Sequence, residues 1–215
     1  MKRSNVLAHR GWWINEDEKN SFLSLQRALE AGFGVETDVR EQNGTLVISH
    51  DPPVGETLDA EAFLALYAKL GAHGRLALNI KADGLQKPLL DLIARTCLTM
   101  ENLYVFDMAV PDAVSYVAND FPAYTRISDY EESPSFLDRS AGVWVDNFAG
   151  GFPQVAEAAR LMSEGYRACI VSPELHRRDP RDLWDEIAAA RLHEYSIFEI
   201  CTDLPQKVYE LLGTD

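Results

Sequence analysis

Apolar residues fall into two rhythms along this chain. Short runs rich in aliphatic and β-branched residues occupy 5–9, 34–39, 76–81, 103–106, 123–126, 142–146, 168–172 and 196–201, each of strand length. Between them lie longer segments whose apolar positions recur every three to four residues, the spacing that gathers them on one helix face. These predict helices over 21–31, 59–70, 85–97, 111–119, 153–165, 179–192 and 205–212. In the first, Phe22, Leu25 and Leu29 make the stripe, Asn20 or Ser21 supplies a cap oxygen, and Gly32 follows the end. Asp59 caps the second and Gly71 follows it. Several others begin beside a proline, whose missing N–H costs nothing in a first helical turn. One addition interrupts the alternation: Asn43-Gly44, a turn dipeptide, leads from the second strand into a further run at 45–49.

Strand–helix alternation of this kind, repeated about eight times, predicts an α/β fold: a small (β/α)8 TIM barrel forming a single domain over 1–215. An open doubly wound sheet is the rival. It is disfavoured because no Gly-x-Gly-x-x-Gly turn follows the first run.

A parallel barrel gathers its chemistry at the C-terminal ends of its strands. Here nearly every apolar run ends in polar residues: His9-Arg10, Glu36 and Asp38, Asn79 and Lys81, Asp107, Arg126, Asp146, Glu174, Asp203. The added hairpin ends in His50-Asp51. Glu36 and Asp38 are two apart on a strand, so they face the same side. Two carboxylates aimed together repel unless a cation lies between them, and an oxygen-only set favours Mg²⁺ or Ca²⁺ over Zn²⁺. His9 and His50 fit a general base and a general acid, with their roles interchangeable at this stage. Arg10 can grip phosphate oxygens bidentately, Lys81 can pair with a phosphate, and Gly11 lets the backbone approach a ligand. Trp12 and Trp13 cannot both pack inward from one loop. One of them, with Trp12 the candidate, is expected to wall a substrate pocket. His176 is a candidate for the barrel mouth, whereas His73 and His193 read as surface residues.

Composition narrows the chemistry. At 215 residues, 47% apolar and 25% charged, the chain is ordinary for one globular domain. A net charge of −14 argues against a nucleic-acid surface, and it would repel an anionic substrate unless a metal or local arginines offset the field. No apolar run approaches the roughly 18 residues of a membrane-spanning helix, and Val6-Leu7-Ala8 is too short for a signal-peptide core. No stable membrane anchor is therefore expected, and the cytoplasm is the expected compartment. Cys97, Cys169 and Cys201 stand in apolar surroundings without a Cys-x-x-Cys motif, which suits buried free thiols in a reducing compartment.

Several stretches carry a resemblance. They are Ala8-His9-Arg10-Gly11, Lys19-Asn20-Ser21, Gly34-Val35-Glu36-Thr37-Asp38-Val39, the segment from Asn43 to Asp51, Leu78-Asn79-Ile80-Lys81, and Thr202-Asp203-Leu204-Pro205. In order and frame they resemble the glycerophosphodiester phosphodiesterase family of the phospholipase-C-like barrel group. The resemblance implies a (β/α)8 barrel that hydrolyses a small-molecule phosphodiester with a divalent cation. It implies His9 and His50 as the acid–base pair and Glu36 and Asp38 as metal ligands. The family usually carries Glu where Asn79 stands, so the third metal position is here an amide, which coordinates without adding charge. Lys19 stands where the family has an acid. Only 28 residues separate His50 from Asn79, without the family's longer insertion over the glycerol end. The amide at 79 and the missing insertion favour the alternative reading, a catalytically weak phosphodiester-binding barrel with a regulatory or ligand-binding role, while the presence of both histidines, both acids and Lys81 opposes it.

Overall fold

The structure is a computed structural model that describes residues 1–70, 73–96 and 98–213. The expected helix end at Gly71 and the expected thiol of Cys97 lie outside the described residues. The elements in chain order are β1 (Val6–His9), α1 (Phe22–Glu30), β2 (Gly34–Gln42), β3 (Thr45–Ile48), β4 (Leu58–Asp59), α2 (Ala60–Lys69), β5 (Leu76–Ile80), α3 (Gln86–Arg95) and β6 (Leu103–Phe106). There follow α4 (Val110–Ala118), β7 (Tyr124–Ile127), β8 (Gly142–Val145), α5 (Gln154–Ser163), β9 (Ala168–Val171), α6 (Arg181–Ala189), β10 (Phe198–Thr202) and α7 (Pro205–Leu212).

Local chemistry accounts for the element ends. Ser21 caps α1 by accepting from the Ser24 N–H at 3.1 Å, and Asp59 caps α2 by accepting from Ala62 N–H at 3.1 Å. Asn43 and Gly44 both hold positive φ, the conformation a two-residue hairpin turn between twisted strands requires. That turn extends β2 to Gln42, past the expected end at Val39, because β3 pairs with it antiparallel from Val39–Ile48 to Gln42–Thr45.

Eight strands run parallel around a ring in the order β1, β2, β5, β6, β7, β8, β9, β10, with β10 returning to β1. The ring closes between β6 and β7 through one parallel bridge, Val105 opposite Ala123, where the Val105 N–H donates to Pro122 O at 2.9 Å. The expected barrel is therefore present. The helices expected between strands are also present, and the β7-to-β8 connection carries only a 3₁₀ turn, Leu137–Arg139. None of the described helices is long and apolar enough to cross a membrane.

Strand alternation divides the apolar residues into two cores. Outward-facing Val6, Val35, Leu78, Val105, Val143, Ile170 and Ile200 pack under the helices. Inward-facing Leu7, Ala77, Tyr104, Phe106, Tyr124, Trp144, Cys169, Val171 and Cys201 fill the lumen. Tyr104 stacks on Tyr124 at 3.7 Å between centroids, and Phe106 stacks on Trp144 at 4.0 Å. A Cβ on Gly142 would fall 2.5 Å from the Tyr124 ring, so the stack depends on glycine there. Burial pushes the Cys169 and Cys201 thiols well above the usual range.

The lower end of the lumen is sealed by charge. Glu199, fully buried, is ion-paired with Arg75 Nε at 2.9 Å and Arg167 Nη2 at 2.7 Å, and the Tyr124 hydroxyl stands 3.3 Å away. With aromatics in the middle and this plug below, the polar strand ends at the upper rim are left as the open face.

Candidate active site

Parallel register places the first site residues. Leu7 faces the lumen, so His9, two residues on, faces it too, at the upper end of β1 opposite Glu36 on β2. On the other flank β1 pairs with β10, Ala8 beside Thr202, which brings Asp203 to His9. The His9 Nδ1 and Asp203 Oδ1 are 2.7 Å apart, and His9 Nε2 lies 3.9 Å from Glu36 Oε2. A carboxylate on Nδ1 fixes the proton there and leaves Nε2 as the acceptor. Asp203 is itself braced: Glu174 accepts from its N–H at 3.1 Å and from the Thr202 and Ser172 hydroxyls.

Glu36 and Asp38 both face inward from β2, and Asn79 stands beside Asp38 in register on β5. All three are buried, Asp38 wholly. Glu36 accepts from the Arg10 N–H at 3.2 Å. Burial first, then the charge of Asp38, pushes the Glu36 carboxyl up to about 7, against the opposing pull of His9, Arg10 and Lys81. Asp38 is better supplied with partners: Asn20 Nδ2 at 2.8 Å, Arg10 Nε at 3.1 Å and Lys81 Nζ at 3.5 Å. Asn20, at φ 60°, is held for this by the Thr37 hydroxyl, which donates to its Oδ1 at 2.8 Å. The Asn79 Oδ1 is buried and accepts no hydrogen bond among the described residues.

Gly11 is required by packing. At φ 86° its α-carbon lies against α1, where a Cβ would meet Ser24 backbone at 2.6 Å. The glycine lets the His-Arg-Gly turn pack on the helix, and Ser24 Oγ donates to Arg10 O at 3.2 Å from that contact.

The hairpin delivers His50. Pairing of β2 with β3 carries the chain back so that Ser49 N–H donates to Asp38 O at 3.0 Å, one residue before His50. Arg40 then ties two site segments together, donating from Nε to His50 O at 2.9 Å and from Nη1 to Lys81 O at 2.8 Å. The imidazole of His50 is 42% exposed and its Nδ1 is 2.9 Å from Asp51 Oδ1. Its backbone is thus anchored at the rim beside Asp38 and Lys81, while its ring faces solvent without a contact to His9.

Lys81 also reaches Asp107 at 3.3 Å, and Asp107 pairs with Arg126, so the ion pairs run on around the rim toward β7. Across the mouth, His176 Nε2 lies 2.7 Å from Oδ1 of the buried Asp146. Trp12 is not brought into this cluster: its ring stands edge-on to Phe33 at 5.6 Å, packed on the outer core. Trp13 lies under the Lys19 ammonium at 4.4 Å.

Sequence reasoning missed Arg40, which lies within β2, and it missed the partners of three residues it had singled out: Asp203 on His9, Asn20 on Asp38 and Asp107 on Lys81. Among the described residues no group of three or more His, Cys, Asp and Glu side chains is placed to hold a metal ion. A cation here would draw on two carboxylates and an amide. The orphaned Asn79 oxygen and the charge-starved Glu36 suit an oxygen-ligated divalent ion.

No family model and no curated protein matches the sequence. Solved structures do match. A glycerophosphodiester phosphodiesterase from Parabacteroides distasonis superposes with a TM-score of 0.75 at 20% identity, over 98% of this chain and 97% of its own. Another from Agrobacterium tumefaciens gives 0.67 at 18% identity, with both chains covered in full. At such identities the likeness establishes the fold: this chain has the barrel of those two glycerophosphodiester phosphodiesterases from end to end.

Proposed function

We propose that the protein is a divalent-cation-dependent phosphoric diester hydrolase that acts on a small-molecule, glycerophosphodiester-like substrate by two-histidine acid–base catalysis. One observation carries the reading. His9, its Nδ1 held by Asp203 at 2.7 Å, presents a free Nε2 beside the buried Glu36–Asp38 pair at the open end of the barrel. The fold shared with two glycerophosphodiester phosphodiesterases supports it.

Glu36, Asp38 and Asn79 would hold the cation, Mg²⁺ or Ca²⁺, which when bound supplies Lewis-acid neutralisation of phosphate charge. Arg10 and Lys81, both on Asp38, steady the phosphate oxygens. His9 takes the proton of the nucleophile at Nε2, and Asp203 stabilises the imidazolium that forms. His50, at the solvent side of the rim, donates a proton to the departing alkoxide. The buried free thiols of Cys169 and Cys201 support the cytoplasm as the compartment.

A second reading has one observation in its favour. Asp38 is already neutralised by Arg10 and Lys81, and the third ligand carries no charge, which suits a phosphodiester-binding barrel with little turnover. Release of alcohol from glycerophosphodiesters and from bis-p-nitrophenyl phosphate, measured with Mg²⁺, Ca²⁺ and Mn²⁺, separates the two. Cation-dependent turnover that falls at least about 100-fold in His9→Ala and His50→Ala is expected. Full rates in either variant would refute the acid–base assignment, and absence of turnover would leave the binding role.

A further inference from the structure

The rim opposite Glu36 and Asp38 carries a second His–Asp pair that the proposed chemistry does not use. β8 stands across the eight-strand ring from β2, and Asp146 ends it, 4% exposed. Asp146 accepts from His176 Nε2 at 2.7 Å and from Asn147 N–H at 2.8 Å. With Nε2 committed, Nδ1 is the free acceptor of His176, and no hydrogen bond to it occurs among the described residues. Phe148 lies 5.1 Å from the His176 ring, and Tyr130 lies 5.8 Å from Phe148. Tyr130 is 74% exposed and Phe148 36%, so the two rings leave aromatic surface open at the rim. The arrangement is built rather than loose: Asp129 accepts from the Phe148 and Ala149 N–H groups at 2.9 and 2.6 Å, and Arg178 Nη1 donates to Phe148 O at 2.6 Å.

We propose that this face is the subsite for the alcohol portion of the diester, and that it takes a neutral, hydroxylated ring such as a cyclic polyol or sugar. The proposal rests on the phosphodiesterase reading for its place in the reaction. An aromatic surface offers the C–H face of such a ring a flat partner, and His176 Nδ1 offers a hydroxyl an acceptor. Competing groups fit less well. A quaternary ammonium would find a face of Phe148 already taken by the Arg126 guanidinium at 5.3 Å, with Arg178 bonded to the Phe148 carbonyl beside it. Those cations do not call for an anion either, because Arg126 is paired with Asp107 and Glu131 and Arg178 is spent on backbone carbonyls. An acyl chain would desolvate His176 and Arg126 without bonding to them.

Two measurements test it, one independent of hydrolysis. Saturation-transfer NMR with free myo-inositol and free choline should show transfer to inositol alone, lost in Phe148→Ala. Steady-state kinetics on glycerophosphoinositol and glycerophosphocholine should show kcat/KM for the inositol ester falling about tenfold in Phe148→Ala and in His176→Asn, through KM, with the choline ester within about twofold. Transfer to neither probe, or equally to both, overturns the subsite. So does an equal loss of kcat on both esters, which would put His176 at the phosphate. If neither ester is hydrolysed while inositol transfer is seen and is lost in Phe148→Ala, the phosphodiesterase reading fails and the subsite stands.

Discussion

Glu36 offers a test of the site that needs no substrate. Its carboxyl is buried beside Asp38 and titrates near 7 in the folded protein, against 4.5 for an ordinary glutamate. Below pH 4.5 the group is protonated in both folded and unfolded chains and contributes no difference. Between 4.5 and about 7 the folded protein holds a proton that the unfolded chain has released, so stability falls as pH rises. Above about 7 both states are ionised and the full cost remains, on the order of 3 kcal/mol for a displacement of this size. Glutamine keeps the shape and the hydrogen bond from Arg10 without the charge. Urea unfolding of wild type and Glu36→Gln in chelator, from pH 4.5 to about 7.5, should therefore show the variant gaining about 3 kcal/mol on the wild type across that range. Carboxylates remote from the Glu36–Asp38 pair titrate alike in both proteins and cancel in the difference. Saturating Mg²⁺ or Ca²⁺ should stabilise the wild type selectively and close the gap. Parallel pH profiles for the two proteins would mean that Glu36 ionises without strain, and the case for a cation-binding role of Glu36 and Asp38 would fall with it.

Three further outcomes are expected. Asp203→Asn should cut kcat by about 100-fold or more with KM little changed, because the amide no longer fixes the proton on Nδ1 of His9; an unchanged rate would show that the pair is structural. Asn79→Asp should tighten Mg²⁺ binding measured by calorimetry, since it adds charge at the orphaned oxygen, and an unaltered affinity would exclude residue 79 as a ligand. Glu199→Gln should lower stability by about 3–5 kcal/mol in urea melts, as it strands Arg75 and Arg167 without their shared carboxylate; a loss under about 1 kcal/mol would show water reaching the plug.

The helices were legible because each turns an apolar stripe to the barrel, as α1 does with Leu25 and Ala28 buried while Gln26 and Glu30 bond to one another outside, although Phe22, expected in that stripe, is exposed at the first turn. The barrel strands were legible as short apolar runs, and Glu36 and Asp38 as a same-face pair, since both patterns are local. What local pattern cannot convey is which rim residues meet. Asp203 lies 194 positions from His9 and reaches it only when β10 returns to β1. Arg40 reads as one more polar residue near a strand end, and its hold on His50 and Lys81 exists only after the hairpin folds back beside β5. Trp12 illustrates the converse. Its neighbours in sequence are site residues, yet the left-handed turn at Arg10 and Gly11 sends its ring outward to Phe33.

The plug formed by Glu199, Arg75, Arg167 and Tyr124 has a consequence for traffic. With stacked rings above it, the lumen is a cul-de-sac: whatever enters the site, water included, comes through one door and leaves by it. On the proposed phosphodiesterase reading, an alcohol released at the rim would stand in the path of the next substrate, and the freed alcohol should act as a competitor of its own parent diester.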